Sequence, residues 1–312
     1  LWLHSLLMDF EELEFRVEHL RFRGVKGTTG TQASFKELFE GDFDKVKILD
    51  ELVTEKAGFK MKQGVSGQTY DRKTDTQVLY LLSNIAQSAH KFTNDFRLLQ
   101  HLKELEEPFE KNQIGSSAMA YKGNPMRSER ISSLAKYVIS NSTNGALVYS
   151  TQWFERTLDD SANKRLSIPQ SFLAVDAILI IWLNIMDGTV VYPKVIEANI
   201  QKELPFMATE NIIMESVKKG MDRQEVHEII RELSMEETRE IKINGNSNNL
   251  IERIIRDGRL GLKAEDMEGI LVSTDYTGFA SQQTVDFIKN EINPILEKYK
   301  NEIIEDREEL KV

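Results

Sequence analysis

Apolar residues recur at helical spacing along most of this chain. Over 76–105, Val78, Leu81, Leu82, Ile85, Ala89, Phe92, Phe96, Leu99 and Leu102 make one continuous stripe. The stripe predicts a helix of roughly 28 residues, about 42 Å long. That exceeds the about three to four turns of an average globular helix and points to a bundle. Further helices are predicted over 3–22, closed by Gly24, and over 35–39, 43–56, 128–140 and 167–186. Asp42 stands where a carboxylate caps the free N–H groups of the 43–56 segment. The run 145–150 suits a strand or a helix equally.

Past Gly188 the segments shorten, Pro193 and Pro205 intervene and charges thicken. Shorter helices are predicted over 207–219, 223–233, 250–257 and 284–308, with a domain boundary near 190–194. The fold class is therefore all-α, with a long-helix bundle domain over 1–191 and a smaller helical domain over 192–312.

Composition narrows the function classes. The chain carries 50 acidic against 40 basic side chains, a net charge of −10, which works against a duplex-binding surface and disfavours nucleic acid as a partner. It has no cysteine, which excludes disulfides, thiolate nucleophiles and iron–sulfur clusters and fits a reducing, cytoplasmic setting. The most apolar stretch, 172–186, is short for a span of about 20 residues and is interrupted by Asp176, so it reads as a core helix and not a membrane segment. At the start, the amphipathic pattern is already under way at Leu3, Leu6, Leu7 and Phe10, with no basic leader before Asp9, Glu11 and Glu12. The expectation is that natural sequence precedes Leu1.

Between Pro108 and Arg130 the helical pattern stops for a long stretch dense in small, polar and glycine residues. A connection of that length between bundle helices is costly unless it has a function. Gly115, Ser116 and Ser117 expose backbone N–H groups, while Lys122 and Asn124 supply a cation and a neutral donor two positions apart. The stretch reads as a lid that closes on an anion. Gly115-Ser116-Ser117-Ala118-Met119-Ala120-Tyr121-Lys122-Gly123-Asn124-Pro125 resembles the signature loop of the fumarase/aspartase superfamily. Met126-Arg127-Ser128-Glu129-Arg130 is similar to its adenylosuccinate lyase branch. So are Phe154-Glu155-Arg156-Thr157-Leu158-Asp159-Asp160-Ser161-Ala162-Asn163-Lys164-Arg165, the stretch from Arg23 through Lys26-Gly27-Thr28-Thr29-Gly30-Thr31 to Gln32, and Leu204-Pro205-Phe206-Met207-Ala208-Thr209-Glu210-Asn211. Ala120 replaces the loop proline and Gly123 a larger side chain, which implies a looser lid, not a different reaction.

The resemblance implies a carbon–nitrogen lyase that eliminates fumarate from succinylated purine nucleotides, adenylosuccinate and SAICAR. It assigns Ser116 as general base, in a field supplied by Lys122 and Asn124. Arg156, Ser161 and Arg165 match phosphate-gripping positions. Ser161 and Arg165 are four apart and so share a helical face. The competing reading is a surface ion-pair set with Asp159 and Asp160. Arg130 matches a substrate-contacting arginine, or else pairs with its own helix face. Gln68 matches a glutamine that holds the succinyl group, or else is a turn residue. Glu129 orients Lys122 or is simply a first-turn helix carboxylate. His4, His19, His90, His101 and His227 lie outside the family's general-acid motif, so the implied acid lies upstream of Leu1 and this stretch alone is expected to be inactive. The resemblance also implies a homotetramer with sites shared among three subunits and no metal or organic cofactor. Other lyases of the superfamily, such as argininosuccinate lyase, and a catalytically silent scaffold remain the alternatives.

Overall fold

The computed structural model describes residues 1–108 and 123–303, and the two compact units into which it divides meet in sequence between Val190 and Val191. The first unit contains α1 (Trp2–Glu18), α2 (Ala33–Leu38), α3 (Phe43–Lys56), α4 (Lys73–His101), α5 (Met126–Asn141), α6 (Thr143–Ser150) and α7 (Asp160–Gly188). Its core is a layer of α4, α5 and α7, with Phe92, Phe96, Ile131, Val138, Ile178 and Ile185 almost wholly buried. Phe92 stacks on Trp182 at 4.6 Å, and Trp2 meets Phe92 edge-on at 4.9 Å. The Trp2 indole N–H donates to Asp95 at 2.7 Å, so this half-buried aromatic keeps its polar edge satisfied while its ring packs on the core.

Helix α5 runs antiparallel to α4. At the His101 end of α4, Gln100 Nε2 donates to Gly123 O at 3.3 Å and Arg97 pairs with Glu129 at 3.5 Å. At the Lys73 end, α6 lies so close that a Cβ on Gly145 would fall 2.9 Å from Thr76 Cα. The ambiguous 145–150 run is helix, forming the rest of α6. The buried Glu107 carboxylate accepts the backbone N–H groups of Arg127 (3.0 Å) and Ser128 (2.6 Å), satisfying donors that the first turn of α5 leaves free.

Several boundaries differ from expectation. Helix α1 stops at Glu18 because the chain turns extended: Phe22 N–H donates to Met61 O at 2.9 Å, and Gln63 N–H to Phe22 O at 2.8 Å. Gly24 is therefore not a helix cap. It has φ +90° and lies against Asp50, whose Oδ1 would be 2.5 Å from an added Cβ. Helix α4 begins earlier and ends earlier than the stripe, with Lys103 left-handed at φ 62° and Leu105–Glu106 extended. Helix α7 is 29 residues long, starts at Asp160 and carries Pro169 inside it. It is long and apolar enough to cross a membrane by length and composition alone. Its Ile178, Ile181, Trp182 and Ile185 are buried in the first unit's core, while Phe172, Leu173, Leu183 and Met186 are exposed.

The second unit contains α8 (Pro193–Met207), α9 (Thr209–Lys218), α10 (Arg223–Asn244), α11 (Leu250–Asp257), α12 (Ala264–Glu268), α13 (Ala280–Phe287) and α14 (Asn293–Tyr299). Ile212, Val226, Leu250, Ile254 and Leu260 anchor its core. The buried Glu237 accepts Asn249 N–H at 2.7 Å and Arg253 Nε–H at 2.8 Å, tying α10 to α11. The helix expected over 284–308 runs without interruption from Ala280 to Tyr299, widened to a π-turn at Ile288–Ile292, where Pro294 brings no N–H to the ladder. Residues 304–308 lie outside the described residues.

Candidate active site

The candidate residues gather at two places in the first unit. One is the Lys73 end of α4, where α7 also begins. Here Gln68 is exposed in the loop before α4, and its N–H donates to Glu155 Oε2 at 2.9 Å. Its carbonyl, with that of Gly67 (3.2 Å), accepts from Arg23 Nη1. The Gly-Thr-Thr-Gly loop packs on the same segment, since a Cβ on Gly30 would meet Ser66 O at 2.5 Å. That loop is anchored by buried Lys26, whose Nζ pairs with Asp50 at 2.6 Å, and by Val25 N–H, which donates to Asp50 at 2.6 Å. Burial alone would raise the Asp50 pKa; the hydrogen bonds from Lys26 and Val25 and the nearby ammonium charges outweigh it and hold the carboxyl below its usual value.

Arg156 follows Glu155 directly and is half-buried, with its Nε buried and without a hydrogen-bond partner among the described residues. Arg165 bends back on Ser161, donating to its hydroxyl and, at 2.8 Å, to its carbonyl, so both occupy one face of α7. They are not tied up with the neighbouring aspartates: Asp160 is buried and pairs with the Arg72 guanidinium.

Around that pair lies a cluster that sequence reading did not single out. The Tyr70 hydroxyl donates to Asp75 at 2.8 Å, the Arg72 guanidinium sits 4.3 Å from the Tyr70 ring centre, and Lys164 Nζ lies 5.3 Å from it. Burial, reinforced by the hydrogen bond to Asp75, pushes the Tyr70 phenol up to about 12. Burial raises the Asp75 carboxyl against the opposing pull of Tyr70, Arg72 and Lys164. Burial and then the Arg72 charge lower Lys164. A cavity of about 360 Å³ opens beside this cluster, lined by Gly67, Tyr70, Tyr149, Phe154 and Glu155. The Ser66 and Thr69 hydroxyls line it too, buried and without partners among the described residues. A cavity of about 370 Å³ in the second unit is lined by Glu236, Glu237, Glu240, Glu252 and Arg253, a charge balance unsuited to an anionic ligand.

The second place is the His101 end of α4. Asn124 is exposed and its carbonyl accepts Met126 N–H at 2.8 Å; Arg130 is exposed on α5, and Glu129 in the first turn pairs with Arg97. Ser116 and Lys122 lie outside the described residues. Most of the length of α4 separates Gln68 from Asn124, and Arg130 lies about 18 Å along the helix axes from Arg165, on the other side of the Tyr137–Gln170 contact. Within one chain, then, Gln68, Arg156, Ser161 and Arg165 are brought together, and Asn124 and Arg130 are not brought to them. Among the described residues, no group of three His, Asp or Glu is arranged to hold a metal ion.

The fold is shared with solved lyase-type structures. The chain superposes on a 3-carboxy-cis,cis-muconate lactonizing enzyme from Pseudomonas putida with a TM-score of 0.71 at 18% identity, over 89% of this chain and 59% of that one. A fumarate lyase from Mesorhizobium sp. BNC1 gives 0.69 at 18% identity over the same shares. A family model described as "Lyase" matches residues 3–140, and one described as "Adenylosuccinate lyase C-terminus" matches 205–287. Adenylosuccinate lyases from Saccharomyces cerevisiae and Schizosaccharomyces pombe are 51% and 49% identical over all 312 residues. The chain spans 65% of the length of each of these two relatives. These matches place the chain in the fumarase superfamily. Within it, the chain belongs to the adenylosuccinate lyase family.

Proposed function

We propose that this chain forms the larger part of an adenylosuccinate lyase, which eliminates fumarate from adenylosuccinate to give AMP and from SAICAR to give AICAR. The observation that carries the reading is the Gln68–Arg156–Ser161–Arg165 group beside a polar-edged cavity, in a chain half-identical to curated members of the family. Arginines and a serine hydroxyl on one helix end suit a nucleotide phosphate, which other superfamily substrates such as argininosuccinate lack.

In this reaction Ser116 removes a proton from the succinyl carbon beta to nitrogen. The electron pair is held on the adjoining carboxylate as an aci-carboxylate, next to Lys122 and Asn124. It then forms the fumarate double bond as the C–N bond breaks, and the nitrogen takes its proton from a general acid outside these 312 residues. Gln68 holds the succinyl end and Arg130 contacts the substrate.

The separation of Asn124 and Arg130 from the α7 group favours a site built from several copies of the chain, a homotetramer in this reading. The exposed Phe172, Leu173, Leu183 and Met186 of α7 give such an assembly an apolar face to bury. The test is the ultraviolet change on adding adenylosuccinate to the full-length protein. Wild type is expected to turn over and Ser116→Ala to bind without turnover; unchanged turnover in Ser116→Ala overturns the reading.

A further inference from the structure

The first turn of α7 presents a problem for a phosphate site. Ser161 and Arg165 mark it as an anion-binding end, and the helix dipole adds positive potential there. Yet its first residue, Asp160, is a carboxylate only 1% exposed, where water hardly screens its charge. An unmasked Asp160 would compete with the phosphate for the same field. Its cationic partner is Arg72, the N-cap of α4, four positions after Gln68 and itself buried. Arg72 Nε–H donates to Asp160 Oδ2, while Asp160 Oδ1 is buried without a hydrogen-bond partner among the described residues. The other cation nearby, Lys164, lies over the Tyr70 ring and makes no ion pair with Asp160 within the described residues.

We propose that Arg72 is a positioning residue that masks Asp160, keeping the start of α7 receptive to a nucleotide phosphate without itself touching the ligand. Asp75 faces the same cluster, but its Tyr70 hydrogen bond ties it to the α4 side, so Arg72 is left to serve Asp160. The inference rests on the nucleotide-binding reading above and assigns a role that reading leaves open. It differs from a purely structural ion pair in sign: removing the carboxylate should not harm phosphate binding, whereas removing the guanidinium should.

The test measures the affinities of AMP and of adenosine, which lacks the phosphate, for the full-length assembled protein. Arg72→Met is expected to weaken AMP about tenfold and adenosine hardly at all, the difference being the unmasked charge. Arg72→Lys, which keeps the charge, retains the AMP preference. Asp160→Asn keeps or strengthens AMP binding, and Arg72→Met with Asp160→Asn recovers most of the single variant's loss. If Arg72→Met fails to fold, Asp160→Asn alone decides: an AMP affinity as weak as expected for Arg72→Met overturns the proposal. An unchanged AMP-to-adenosine ratio in Arg72→Met, or no recovery in the double variant, also overturns it. The underlying reading fails separately, if Arg165→Ala leaves AMP affinity untouched.

Discussion

The Glu155 carboxylate accepts the backbone N–H of Gln68 at 2.9 Å across 87 positions of sequence, and Gly67 leaves room for it. A Cβ on Gly67 would stand 2.0 Å from Glu155 Oε2 and 2.8 Å from its Cβ, so any side chain there pushes Glu155 away. Because Arg156 follows Glu155, this one contact couples the proposed succinyl-holding residue to a proposed phosphate-gripping one. Gly67→Ala and Glu155→Ala are each expected to lower kcat/KM by about tenfold or more, as small misplacements of reacting groups do. Steady-state kinetics of the full-length protein check this, and wild-type kinetics in both variants would show that the contact does not position Gln68.

Asp50 holds the Gly24–Gln32 loop against the Gln68 segment through buried Lys26. Replacing Asp50 with Asn leaves that ammonium buried without its counter-charge, at an expected cost of about 3–5 kcal/mol. The pH dependence follows from the direction of the shift. Asp50 is depressed in the folded state, so its contribution is present above the unfolded carboxyl pKa and is lost as pH falls through the lower, folded value. Urea melts from pH 7 downward should show wild type losing its advantage over Asp50→Asn only in acid. A constant difference between the two proteins across that range contradicts the linkage.

Tyr70 titrates in the opposite pH region. Its phenol is raised to about 12 by burial and by Asp75, against an unfolded value of 10.0. The folded state thus holds a proton that the unfolded chain releases, and the stability this supplies is lost as pH rises from 10 toward 12. Alkaline difference absorbance should show a tyrosine step near pH 12, and Tyr70→Phe should remove that step. If Tyr70→Phe leaves the titration curve unchanged, the Tyr70–Asp75 contact is not as described.

What could be read from sequence was what depends on neighbours in sequence. Asp42 was legible as a cap because its acceptor role serves Asp44 and Lys45, two and three residues on. The α4 stripe and the Ser161–Arg165 face were legible because helical periodicity alone places them. Gly24 was misread as a helix end because its real constraint, Asp50, lies 26 positions away and is unrelated to helix capping. Arg72 was overlooked for the same reason, since its partner Asp160 is 88 positions distant and either residue alone resembles an ordinary helix-start charge. The π-turn at Ile288–Ile292 was not legible because apolar spacing continues across it while Pro294 removes a backbone donor. Ser116 and Lys122 carry a motif whose chemistry is legible, though they lie outside the described residues.

The two groups at opposite ends of α4 make one further expectation possible. Arg165 lies near the Lys73 end and Arg130 toward the His101 end, about 18 Å apart along the helix axes on either side of the Tyr137–Gln170 contact. If every site takes one group from each of two different chains, Arg130→Ala and Arg165→Ala should each inactivate the pure protein. Dissociating the two variants, mixing them equally and reassembling them should return activity, because about a quarter of sites then combine two intact groups under closed symmetry. Charge on the exposed α7 face, as in Leu173→Glu with Leu183→Glu, should lower the sedimentation coefficient and abolish turnover together, since splitting the assembly splits each site. Activity that persists in a sedimenting monomer, or a variant mixture that stays silent after reassembly, would mean that a single chain closes its own site despite that separation.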